Sequence, residues 1–318
     1  MFRLFHSIFG NEEERYPDTL VDAALERAVD GTDPWLRGLS GYRRKLRPAV
    51  VHALDHVVGM TDGFEQPLEL SRTNYATDPQ LRLFFISPEQ LDGMVCADPL
   101  LAAWRAAPEN AGRPAWALLV MECEQRRAFG VELQGDTLVR DVPQITVSFS
   151  RHRLLDPAAS LEENRRLLRR RAFDHLLTLA LARIVTVKEV REDLLRHRTL
   201  LQAKHDMLEG SGWGFGGGDA AANLAAVHQQ LDEIAAQLQK VGGDDRYIEK
   251  HLEVLVDVLA NAERQLWMDT ETLIVDRMGI KRGTPADDAP ELELKELHNA
   301  AGRRLMARMV VVPATAAR

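Results

Sequence analysis

His52-Ala-Leu-Asp55-His56 places two imidazoles and a carboxylate at i, i+3 and i+4, which is one face of a helix. That spacing could bring them to one divalent ion, with Asp standing where an inverted zinc-peptidase motif has Glu. No third ligand is identifiable, and Val50, Val51, Leu54, Val57 and Val58 define the stripe that the helix must bury. His52, Asp55 and His56 are therefore the candidate ligands, but no metal centre is expected.

Gly212, Gly214 and Gly217 satisfy G-x-G-x-x-G ahead of a helical stretch. A dinucleotide loop must follow a strand, and here a long helical pattern precedes it. No cofactor is expected. The chain has no P-loop, nucleophile elbow or carboxylate pair assignable to one pocket, so no catalytic residue is assigned and the reading points away from an enzyme.

Two basic clusters could bind phosphates of nucleic acid or anionic lipid: Arg43, Arg44, Lys45 and Arg47 in GYRRKLRP, and Arg165, Arg166, Arg169, Arg170 and Arg171 in RRLLRRR. On a chain of formal charge −8, solvated helix faces or internal ion pairs are the expectation, and nucleic acid is not an expected partner. A different contact is suggested by GSGWGFGGG at 210–218, where Trp213 and Phe215 stand among glycines. They either plug the end of a helix pair or are displayed to a partner or a membrane interface.

The elements that must position these groups begin with capping signals. Asp33-Pro34, Asp78-Pro79 and Asp98-Pro99 each pair an N-cap carboxylate with a proline at the first helical position, and Ser87-Pro88-Glu89-Gln90 forms a capping box. Residues 1–112 accordingly read as a helical domain. After NAGRP the period changes to two: AWALLVMEC, FGVEL and ITVSFS read as a three-stranded meander within 113–157, turned at Gly135-Asp136.

Asp156-Pro157 and the capping box from Ser160 to Glu163 announce a helix that meets no Pro or Gly until Gly210. Phe173, Ala180, Val187, Leu194, Leu201 and Leu208 recur every seventh residue, with Leu177 and Ile184 between them. A second seam runs from Leu224 to Leu266, in phase across Gly242-Gly243, so packing is expected to carry one helix or a kinked pair through the glycines. The two arms match in length and oppose in charge. They predict a coiled-coil hairpin over 158–267 with its tip at 210–218, pairing Arg183 with Asp245, and Arg191 and Arg198 with Gln237 and Gln230.

TETLIVDRMGIK, ELELKEL and RLMARMVVVP supply β segments within 268–318, expected to join the earlier strands at the base. The predicted fold is α+β and predominantly helical: an N-terminal helical domain, an antiparallel β base from two separate segments, and a long antiparallel coiled-coil hairpin. Two cysteines, Cys96 and Cys123, read as buried thiols in a reducing compartment, and no run is long and apolar enough to span a bilayer.

This organisation suggests a cytoplasmic, non-enzymatic scaffold or adaptor. It would be oligomeric and act through self-association or a protein partner at the hairpin. The alternatives are a peripheral membrane protein anchored by MFRLFHSIFG or by the tip, and an enzyme with its pocket between the helical domain and the β base. His52, Asp55 and His152 are the ionisable residues that would serve such a pocket.

Overall fold

The computed structural model describes residues 16–134, 137–210, 219–243 and 246–314. The chain mixes helix with an antiparallel sheet and divides into two compact units, residues 1–54 with 173–262, and residues 55–172 with 263–318. MFRLFHSIFG, Trp213, Phe215, the Gly135-Asp136 turn and Asp245 lie outside the described residues.

The second unit is built on the sheet. Its strands are β1 (Leu68–Glu69), β2 (Ala115–Gln134), β3 (Thr137–Ala158), β4 (Leu266–Ile274), β5 (Glu291–Asn299) and β6 (Arg304–Val312). The order is β3-β2-β6-β5-β4, antiparallel throughout, while β1 adds a short parallel pair to β6. The two β segments of the sequence thus meet where β6 pairs β2, from Ala115 opposite Val312 to Met121 opposite Met306.

The expected three-stranded meander is corrected to a two-stranded hairpin. AWALLVMEC and FGVEL belong to one 20-residue strand, because Glu124 to Ala128 between them continue the ladder with β3 and contain no turn residue. Such a long pair must twist, and three register shifts accommodate it. At each, β3 holds one extra residue at positive φ: Asp141 (58°), Arg151 (54°) and Asp156 (49°).

Asp156 is therefore a bulge residue rather than a helix cap. β3 runs on to Ala158, and the cap is Ser160, whose Oγ accepts from the Glu163 N–H at 3.1 Å while Glu163 reaches back to the Ala159 N–H at 3.2 Å.

One sheet face, with Ala117, Leu119, Met121, Leu154 and Val310, packs with the helices α3 (Arg72–Thr77), α4 (Pro79–Phe84), α5 (Pro88–Ala97) and α6 (Pro99–Ala106). The other, with Leu118, Val120, Ala307 and Met309, packs on Phe64 and Leu168. Beyond β4 the chain returns to the far edge: the Val147 N–H donates to the Gly279 carbonyl at 2.7 Å and the Lys281 N–H to the Ile145 carbonyl at 2.8 Å. Since β3 and β4 are opposite edges, these bonds curl the sheet toward closure.

The first unit contains α1 (Asp18–Asp30), a 3-10 turn (Pro34–Gly38), the first turns of α2 (Tyr42–Asp62), most of α7 (Leu161–Gly210), α8 (Asp219–Lys240) and α9 (Tyr247–Ala260). Along α7 the covered positions keep the 3-4 spacing: Phe173, Leu177, Ala180, Ile184 and Leu194 are buried, and Val187, Arg191, Leu201, His205 and Leu208 half-buried. α8 and α9 mirror it, with Val227, Leu238, Leu252, Leu255 and Leu259 buried.

Contacts between the arms fall in antiparallel order, His205 with His228, Arg191 with Tyr247 and Arg183 with Asp257. Asp245, the expected partner of Arg183, lies outside the described residues; among them Arg183 meets Asp257 at 3.3 Å. α8 stops at Lys240 and α9 starts at Tyr247, with Gly242 at φ +95° in the turn between them. Residues spent in a turn give no helical rise, so partners past the break come from later in the chain. Gly242 also sits where a Cβ would lie 2.9 Å from that of Lys250, so a side chain there meets both strain and a clash.

Candidate functional site

In the first unit the Asp33-Pro34 signal carries more than a cap. One carboxylate oxygen accepts from the Trp35 N–H at 3.1 Å. The other receives His251 Nδ1 at 2.7 Å and Lys188 Nζ at 3.2 Å, joining the 3-10 turn to α9 and α7. Asp33 and His251 are buried, Tyr247 meets the His251 ring edge-on at 4.3 Å, and Arg191 lies 4.6 Å over Tyr247.

Because an ionised carboxylate only accepts, Nδ1 of His251 carries the proton. Its Nε2 is buried without a hydrogen-bond partner among the described residues. Burial lowers the His251 pKa, with the Asp33 carboxylate opposing, since a second proton would sit on a nitrogen lacking an acceptor. For Asp33 burial pushes upward, but the Trp35 amide, His251 and Lys188 prevail and hold it below the usual range.

Both shifts make the fold acid-sensitive. As pH falls through the ordinary imidazole value of ~6.5, unfolded His251 takes up a proton that the folded chain resists, so stability declines with pH. The Asp33 contribution is present above its unfolded value and is lost at still lower pH, as its depressed folded pKa is crossed. The unfolding free energy of the wild type, measured in urea, should fall between pH 7.5 and 5.5, by no more than ~1.4 kcal/mol per pH unit for this group. His251→Leu should flatten the profile. His152, in the second unit and lowered by burial, leaves a residual slope.

Further along α7, His205 and His228 bring their Nε2 atoms to 3.0 Å, with Glu209 and Asp206 beside His205. His205, Asp206 and Glu209 are the group among the described residues whose ligand atoms are close enough to share an ion. The sequence-predicted set is arranged differently. His52 is exposed, and His56 directs Nε2 to the Leu266 carbonyl at 2.7 Å.

The basic clusters are largely ion-paired. Arg43 pairs with Glu26, Arg47 with Asp18 and Asp22, and Arg166 with Glu163. Arg169 meets Asp62 at 2.8 Å and Glu162 at 3.3 Å, and Arg171 grips Asp156 through two bonds of 2.6 and 2.7 Å. Arg165 is half-buried with its Nε unpartnered among the described residues, while Arg44, Lys45 and Arg170 are exposed. These ion pairs engage five of the nine basic side chains that a phosphate could use.

The second unit holds a cavity of about 650 Å³ between α4, β3, β5 and the turn at 275–279. Phe84, Val147, Phe149 and Leu292 give it an apolar floor; Arg82, Arg277, Asp287 and Asp288 stand among the lining groups. None of His52, Asp55 and His152 lines it. His152 is held by the Phe84 carbonyl at 2.8 Å and stacked on Phe85 at 4.6 Å.

The expectation of two buried thiols is corrected. Cys96 is exposed because the α5 stripe is Leu91 and Val95, which turns the next residue outward. Cys123 is half-buried, lying on β2 just past the reach of β6, and burial with nearby Glu271 and Glu296 pushes its thiol up to about 11. No helix among the described residues is long and apolar enough to cross a membrane. Compared with protein-family models, curated proteins and solved structures, the chain matches none.

Proposed function

We propose that this protein is a non-enzymatic scaffold or adaptor of the cytoplasm, which associates with itself or a protein partner through α7 and the arm that returns along it as an antiparallel coiled coil. The observation behind this reading is apolar exposure outside the covered stripe. α7 runs for 50 residues, and Leu181, Val185, Val190, Leu200 and Met207 stand 37–75% exposed on it. Leu200 and Met207 are one heptad apart and share a face. Scattered exposed aliphatics are ordinary; a pair in heptad register on a helix already packed on another side favours a further helix.

The test is sedimentation equilibrium of the full chain beside Leu200→Glu/Met207→Glu. The wild type should associate, and the double variant should do so at least ~10-fold more weakly with unchanged circular dichroism, since two charges would be desolvated at the interface. A wild type that is monomeric throughout and captures no partner sensitive to these substitutions overturns the proposal.

A second reading, an enzyme or small-molecule binder, is favoured by the cavity in the second unit, whose volume suits a small ligand. The peripheral-membrane alternative rests on segments outside the described residues.

A further inference from the structure

We infer that His205, His228 and Glu209 form a Zn²⁺ site clamping α7 to α8. Two imidazoles and a carboxylate are a donor set suited to zinc, and zinc places its nitrogen and oxygen ligands at ~2.0–2.2 Å. Around a tetrahedral ion such ligand atoms lie ~3.3 Å apart. His205 and Glu209 belong to the group whose ligand atoms are close enough to share an ion, and Nε2 of His205 is 3.0 Å from Nε2 of His228 and 3.6 Å from a Glu209 oxygen, so the two spacings from His205 bracket that value. Glu209 follows His205 by one helical turn, and His228 comes from the opposing helix, its ring nearly perpendicular at 79°.

Asp206 completes the arrangement from outside. Its carboxylate is 3.4 Å from His205 Nδ1, the nitrogen facing away from the other ligands. A proton kept there by the carboxylate leaves Nε2 bare, which is the orientation that metal-binding histidines receive from such partners. Without the ion, the close approach requires His228 to donate its Nε2 proton to His205. Zn²⁺ takes the place of that proton, and His228 shifts to its Nδ1–H tautomer by exchange with water.

The position argues against a purely structural pair. His205 occupies the covered stripe between Leu201 and Leu208, where an aliphatic side chain would bury without a polar partner to satisfy. Three protein ligands leave one tetrahedral position for water, and Glu209 is exposed enough to admit the ion. The inference stands on this geometry alone and does not depend on the scaffold reading.

The experiment uses the full chain without a histidine tag, freed of metal by chelation and titrated with ZnCl₂ in competition with a chromophoric chelator. One equivalent should bind, and Co²⁺ in its place should give the intense visible bands of a tetrahedral ion. His228→Ala removes an exposed side chain without disturbing the core and should weaken binding at least ~100-fold; Asp206→Asn should weaken it ~10-fold. Nitrogen-15 spectra should show both Nε2 resonances moving with zinc. Absence of a stoichiometric site overturns the inference, as does zinc binding equal in the wild type and in His205→Gln/His228→Ala.

Discussion

Replacing Asp33 with alanine should destabilise the first unit by ~3–5 kcal/mol, one of the largest effects expected of any single polar substitution in this chain. Three losses coincide. The Trp35 N–H loses its cap, a change that costs ~1 kcal/mol by itself. The His251 Nδ1–H is left buried without an acceptor, in a ring whose Nε2 already has none among the described residues. The Lys188 ammonium, reaching in from α7, loses its counter-ion. Asp33→Asn keeps a single acceptor oxygen, which can serve the Trp35 cap or His251 but not both, and so should lie between wild type and alanine. Urea unfolding followed by circular dichroism measures all three, and adding His251→Leu to Asp33→Ala should recover part of the loss by removing the stranded donor. An Asp33→Ala variant within ~0.5 kcal/mol of wild type would mean that the cluster is peripheral to stability.

How much of this was legible beforehand depends on the range of the interaction. Caps are local, so Asp33, Asp78, Asp98 and both capping boxes could be read from a few neighbouring residues. The apolar stripe of α7 was legible because a 3-4 period over 50 residues cannot arise by accident. The joining of two distant β segments followed from a simpler constraint, since an isolated hairpin has edges and a face to cover.

What sequence reasoning missed is set by partners. Glu124 to Ala128 are polar and charged, so the continuity of β2 through them shows only in the ladder with β3. The seam across Gly242-Gly243 is in phase on paper, but the chain forms a turn there, and the pairing beyond it shifts. Polar residues in the seam find partners the symmetric pairing does not give: Arg191, expected against Gln237, stacks on Tyr247, and His205 meets His228. His52 and His56 have the spacing of one helix face, but His52 is exposed and His56 directs Nε2 to the Leu266 carbonyl.

Asp98→Ala should cost the second unit ~3–5 kcal/mol, whereas the same substitution at Asp78 should cost only ~1 kcal/mol, although both begin with the same Asp-Pro dipeptide. Asp78 accepts from the Gln80 and Leu81 N–H groups, both in its own helix, and among the described residues it bonds to no distant element. Asp98 also caps, accepting from Leu100 at 3.0 Å and Leu101 at 2.9 Å, but its second oxygen accepts from the Leu154 N–H of β3 at 2.9 Å. That carboxylate is buried, and Leu101 and Leu154 on either side of it are fully enclosed in the same core. Removing it strands a buried strand amide beside a register-shifted segment of β3 and frees α6 from the sheet it covers. Asp98→Asn keeps one acceptor oxygen and should recover part of the loss. Hydrogen exchange supplies the decisive contrast: Asp98→Ala should lose protection at Leu154 as well as across α6, while Asp78→Ala should lose it only in the first turn of α4.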